Sequence, residues 1–164
     1  VLTSFIVIFL ALKYNEYYFE NYSKNKIGLP IKDLHININE IENFDYLFMF
    51  SPTCSHCREA IPKIISLNKK YSLKLVGITL NSMDPELKKL TSDFDINFTV
   101  VKIDKNIFYE LTKIVPVIYK IKNDTIQNSF NPRDLILNIS TNNKSTFQIS
   151  PGNKPTLSGR MANK

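Results

Sequence analysis

The chain has 164 residues, a net charge of +6, 43% hydrophobic residues, two cysteines and no tryptophan. This is enough for one domain with a sizeable core and excludes a disordered chain. Four of the positive charges (Lys144, Lys154, Arg160 and Lys164) fall in the last 24 residues, so the first 140 carry only +2. With no basic stripe interleaved with aromatics, this argues against nucleic acid as a partner.

Residues 1–12 (VLTSFIVIFLAL) are almost wholly apolar and are followed by Lys13 and a tyrosine-rich segment. Twelve residues fall short of the ~20 that a spanning helix needs. The run reads as a signal-peptide or membrane-anchor remnant, with Tyr14, Tyr17, Tyr18 and Tyr22 at the interface. Residues 13–30, punctuated by Gly28 and Pro30, read as a linker into a domain over 31–139. Residues 35–39 (HININ) alternate polar and apolar, the pattern of a half-buried strand, and His35 reads as structural or solvent-facing.

Residues 46–50 (YLFMF) are a continuous apolar run of strand length, as expected of a central strand buried on both faces. A Ser-Pro turn follows, then a helix that directs Ala60, Ile61, Ile64, Ile65 and Leu67 to a core and is expected to kink at Pro62. Residues 73–80 read as another buried strand. Asp84 followed by Pro85 predicts a helix start with Asp84 as N-cap. Residues 97–103 predict a strand, 106–113 a short helix and 115–121 a strand that pairs with 125–130 across the Asn123-Asp124 turn. Asn131-Pro132 predicts a last helix through Leu135, Ile136 and Ile139. Residues 140–164 are rich in Asn, Ser, Lys, Pro and Gly and are predicted to form a mobile tail. Strands and helices in this order make an α/β layer arrangement with parallel and antiparallel parts.

The chemistry concentrates where the chain passes from strand to helix, at Cys54-Ser55-His56-Cys57. A helix start offers free backbone N–H groups and the positive end of the helix dipole, which favour a thiolate on the leading sulfur. A disulfide closing so short a loop staples little, so the pair suits exchange better than stability. His56 can add positive charge near Cys54, which favours the dithiol and makes the disulfide more oxidising. Other uses of the pair fit poorly. A closed zinc site needs four ligands, and His35 and His56 are the only histidines. Covalent haem needs a histidine after the second cysteine, where Arg58 stands. No metal and no cofactor is therefore expected.

An apolar strand, Cys-Ser-His-Cys, a helix containing Pro62 and Val115-Pro116 before a hairpin together resemble the thioredoxin superfamily. The 59-residue spacing from Cys57 to Pro116 leaves room for an inserted strand and helix. In this the chain is similar to the TlpA/ResA-like extracytoplasmic thiol-disulfide oxidoreductases. The resemblance implies a thioredoxin-like α/β fold, a central mixed sheet flanked by helices with an extra strand-helix insertion. It implies that Cys54 attacks and Cys57 resolves, and that Pro116 is a cis-proline facing the dithiol while the Val115 backbone pairs with the partner's extended chain. It also implies protein thiol or disulfide substrates, a membrane redox partner, and a periplasmic domain tethered to the inner membrane by its N-terminus, with cytochrome c maturation as one role among relatives. The chain departs from the family pattern at Thr53, where Trp is common, and at Ala60, where an acid is expected; Glu59, one position early, reads as a surface residue. The second function class is a non-catalytic binding module of the same fold whose cysteines form a structural disulfide.

Overall fold

The computed structural model describes residues 2–34, 43–135 and 139. The expected strand over 35–39, His35 included, and the tail 140–164 lie outside the described residues.

Helix α1 (Leu2–Lys24) runs through the apolar segment and on into the stretch read as a linker. Residues 13–24 contain neither Gly nor Pro, so nothing in the backbone interrupts it. The turn comes at Gly28, whose φ of 90° belongs to the left-handed region, and the Gly28 N–H donates to the Ile126 carbonyl at 2.7 Å. From Phe5 to Leu10 every side chain of α1 is more than half exposed. Among the described residues, no helix is long and apolar enough to cross a membrane.

Five strands form one mixed sheet in the order β3-β2-β1-β4-β5. They are β1 (Tyr46–Met49), β2 (Leu75–Leu80), β3 (Thr99–Ile103), β4 (Val117–Lys122) and β5 (Thr125–Phe130). β1 pairs parallel with β2 and antiparallel with β4; β2–β3 is parallel and β4–β5 antiparallel. Asn123 and Asp124 both have positive φ, which a tight hairpin turn matching the strand twist requires.

The apolar run of β1 is buried on both faces because a helical layer covers each. Leu47 and Met49 point into a core with Val76, Ile78, Val101, Phe108 and Leu111; Tyr46, Phe48 and Phe50 point into a second with Cys57, Ile61, Ile64 and Leu90. α2 (Ser55–Tyr71) and α3 (Asp84–Asp93) cover the second face and α4 (Lys105–Leu111) the first. Gly77 in β2 is where the aromatics close up. A Cβ there would meet Phe98 at 2.8 Å and Phe50 at 2.9 Å, and the Phe48 and Phe50 rings stack at 5.1 Å.

Several element starts differ from expectation: β2, β3 and β4 begin at Leu75, Thr99 and Val117, each two residues later than the runs over 73–80, 97–103 and 115–121 predict, and two helix starts differ as well. Asp84 is the first residue of α3 and does not cap it, because the turn Asn81–Met83 runs into the helix and Asp84 already has helical backbone (φ −57°, ψ −44°). Its carboxylate instead meets Lys102 Nζ at 2.8 Å, which holds that carboxyl below the usual range. α4 starts at Lys105 and not at Asn106. Asn131 does cap the turn Pro132–Asp134, its side chain accepting from the Arg133 N–H at 3.1 Å, and Leu135 and Ile139 are buried beneath α2's face of the sheet. The helix expected to join them lies mostly outside the described residues. α2 continues through Pro62 as one 17-residue element.

Candidate functional site

β1 runs toward one end of the sheet and β4 starts from that same end, Met49 lying opposite Val117. The antiparallel pairing therefore brings residues 50–57 and the segment before β4 together. The ladder continues one residue past β1, where the Phe50 N–H donates to the Ile78 carbonyl at 3.0 Å, and the turn Ser51-Pro52-Thr53 then delivers α2.

Cys54 is the N-cap of α2 with extended backbone (φ −78°, ψ 121°). Its Sγ accepts the Cys57 N–H at 3.4 Å, so a sulfur does here what a hydroxyl or carboxylate oxygen does at most helix starts. The Cys54 carbonyl accepts from the Arg58 N–H at 3.1 Å, the first bond of the helix. Both cysteines are free thiols; Cys54 is half-buried and Cys57 buried. Burial pushes the Cys57 thiol far up, and the neighbouring Cys54 adds to this, while the Ser51 N–H reaching Cys57 Sγ at 3.5 Å works in the opposite direction.

The Val115–Pro116 peptide bond is cis, Pro116 is buried and Val115 half-buried. Cys54 Sγ contacts the Val115 carbonyl at 3.7 Å, so the leading sulfur lies between a helix N-terminus and this backbone oxygen. Cys54, Cys57, Val115 and Pro116 are thus brought together. His56 sits on the outer face of α2's first turn, 70% exposed, with Nδ1 3.7 Å from Oε2 of Glu59, which is 67% exposed. When His56 is protonated, Glu59 offsets part of its charge. Ala60 faces the core, so no carboxylate lies under Cys57 from that position. Among the described residues, no group of three or more His, Cys, Asp or Glu is arranged to hold a metal ion.

Several contributors were not legible beforehand. Ser51 appears in the sequence only as half of a turn, yet its N–H is the donor to Cys57, and its Oγ lies 3.0 Å from Thr53 Oγ1 and 3.4 Å from Met83 Sδ. Arg58 joins α2 to α3 through Asp93 at 2.6 Å and lies 5.5 Å from the Phe94 ring centre. The Ser51–Met83 and Arg58–Asp93 contacts have no sequence signal, since each joins residues more than 30 apart in the chain.

No protein-family model matches the chain, and no curated protein matches it in sequence. Solved structures do match. A thiol:disulfide interchange protein DsbE from Chlorobium tepidum superposes with a TM-score of 0.54 at 22% identity, over 63% of this chain and 82% of that one. The thioredoxin domain of a thiol-disulfide oxidoreductase from Bacteroides vulgatus gives 0.54 at 15% identity, over 70% and 89%. A thiol:disulfide interchange protein from Bacteroides sp. gives 0.55 at 13%, over 70% and 83%. The mixed sheet with helices on both faces is a thioredoxin-like α/β fold.

Proposed function

We infer that the chain is a thiol-disulfide oxidoreductase exchanging disulfides with proteins outside the cytoplasm. The observation that carries this is the leading sulfur of a free Cys-x-x-Cys pair held as the helix N-cap, against the carbonyl of a cis X-Pro bond. The N–H of Cys57 at the helix start points at that sulfur, and a thiolate is the nucleophile in exchange.

In the reductive direction, the Cys54 thiolate attacks one sulfur of a substrate disulfide. A Cys54–substrate S–S bond forms, the substrate's own S–S bond breaks, and the departing sulfur takes up a proton. Cys57 then gives up its proton and attacks Cys54 Sγ, closing the Cys54–Cys57 disulfide and releasing the second substrate thiol. Two electrons and two protons pass from dithiol to substrate, and the same steps run backward oxidise it. The backbone of Val115 pairs with the substrate's extended chain beside the reacting sulfurs.

The apolar, exposed first half of α1 supports a reading in which this segment associates with a membrane and holds the domain at the periplasmic face of the inner membrane. A membrane redox partner would restore the dithiol there, and reduction of apocytochrome cysteines during cytochrome c maturation is one use of it.

The test is a titration of the chain in glutathione buffers, with free thiols counted by an alkylating mass tag. A two-electron transition with a defined midpoint supports exchange. A midpoint well above about −200 mV marks a disulfide donor and one near or below roughly −270 mV a reductant. A pair that never changes state across the range refutes the reading and leaves a binding module with a structural disulfide.

A further inference from the structure

The segment that carries Val115 and Pro116 is braced from below by a hydroxyl that no sequence pattern singles out. Thr112 is 4% exposed and sits at the C-cap of α4, its N–H donating to the Phe108 carbonyl at 2.9 Å. Its Oγ1 donates to the Ile114 carbonyl at 2.7 Å and accepts from the Ile114 N–H at 3.1 Å. One buried side chain thus satisfies both backbone groups of the residue next to Val115. The fully buried Tyr119 of β4 works on the same segment, its hydroxyl donating to the Leu111 carbonyl at 2.9 Å. Tyr119 pairs across the sheet with Leu47 of β1, so the brace is anchored in the strand that leads to Cys54.

We propose that Thr112 is a positioning residue for protein substrates: its hydroxyl fixes the Ile114 backbone and thereby holds Val115 against Cys54 Sγ, in the shape an extended polypeptide must meet. The geometry gives this more content than a general stabilising role. A short loop between a helix end and a strand has few ways to satisfy its own backbone, and here both donor and acceptor of Ile114 are closed by one side chain. Without it, Ile114 regains freedom two residues from the cis-proline, and the carbonyl at 3.7 Å from the reacting sulfur moves with it. A substrate that engages only through its disulfide senses this little. One that lays its backbone along Val115 senses it fully, because a misplaced partner costs rate in proportion to how much of the approach depends on orientation.

The inference rests on the disulfide-exchange reading, and the experiment separates the two. The full chain, reduced, is reacted with a short peptide closed by one disulfide and, separately, with glutathione disulfide, and the ratio of the two second-order rate constants is taken. Thr112→Val keeps the shape and removes the hydroxyl; its peptide-over-glutathione ratio is expected to fall roughly tenfold, the size of one lost hydrogen bond expressed in the transition state. Thr112→Ser keeps the hydroxyl and is expected to restore most of the ratio. Tyr119→Phe provides the same readout should Thr112→Val fail to fold, with a smaller fall of the same kind. A ratio unchanged in Thr112→Val, whether or not both rates drop together, overturns the positioning role. No reaction of the unaltered chain with either disulfide overturns the exchange reading itself, and this inference with it.

Discussion

Cys57 is a buried thiol whose ionisation the fold opposes, and this makes the stability of the reduced protein fall with pH in a defined window. An unfolded cysteine titrates near pH 8.5. In the folded chain, burial against Phe48, Phe50 and Ile61 pushes the Cys57 thiol far above that. Below about pH 8.5 both states keep the proton and the group contributes no pH dependence; above it the unfolded state releases a proton that the folded state retains. Stability is therefore lost as pH rises, by about 1.4 kcal/mol per unit while the folded thiol stays protonated. At pH 10 the loss attributable to Cys57 is roughly 2 kcal/mol, or on the order of 6 °C in Tm for a chain of this size. Buried phenols add to the decline at higher pH, Tyr119 being pushed up to about 12 and Tyr46 raised as well, so the measurement is a difference. Reduced protein and its Cys57→Ala variant are melted by circular dichroism between pH 7 and 10. The variant starts less stable, because it leaves a cavity, but its decline with pH is expected to be shallower by the stated amount. Parallel slopes would show that water reaches Cys57 in the fold and would refute the account of a protected resolving thiol.

The remaining expectations concern the same end of the molecule and the packing beneath it. Cys54→Ser is expected to abolish exchange, whereas Cys57→Ser accumulates mixed disulfides with protein substrates, seen as adducts that reducing agent removes on a gel. His56→Pro should lower the midpoint potential and Glu59→Gln should raise it by about 10 mV, the equivalent of roughly 0.5 kcal/mol for an exposed charge in a two-electron couple. If Glu59→Gln lowers it, the account of Glu59 as an offset to His56 has the wrong sign. Arg58→Ala removes the link to Asp93 and the contact with Phe94. At 37% exposure for both partners the expected loss is only about 1 kcal/mol, read as a shift in urea midpoint. Gly77→Ala must displace Phe50 or Phe98 and is expected to cost about 1–3 kcal/mol, so a variant as stable as the parent would show that the rings have room to yield.

Much of this site is legible in the chain itself, and the limits have physical causes. The apolar run of residues 46–50 can be read as doubly buried because no other arrangement satisfies five consecutive large apolar side chains, and the sheet does bury β1 on both faces. The hairpin is readable because Asn-Asp tolerates the positive φ that its turn needs. Starts of helices are less readable where a turn runs into them. Asp84 looks like a cap in sequence, but the turn Asn81–Met83 before it already sets Asp84 in helical backbone, which leaves its carboxylate to Lys102, 18 residues away on β3. The same limit hides Ser51. Its N–H acts on Cys57 six residues on, but only after the Ser-Pro turn folds the chain back over the start of α2.

The site around the dithiol is assembled from two parts of the chain 61 residues apart, and the division follows from what each part can supply. The strand–turn–helix of residues 46–57 provides everything local: the N-cap sulfur, the N–H of Cys57 and the N–H of Ser51 on Cys57 Sγ. It cannot provide a carbonyl facing Cys54 Sγ, because the carbonyls of α2 point along the helix away from its start. That oxygen comes from Val115, and it arrives there because β4 pairs antiparallel with β1 and so begins where β1 ends. The β2–α3 and β3–α4 units between them extend the sheet on the opposite edge. Cys54 is half-buried at the end of an otherwise closed core, while Cys57 is buried within it.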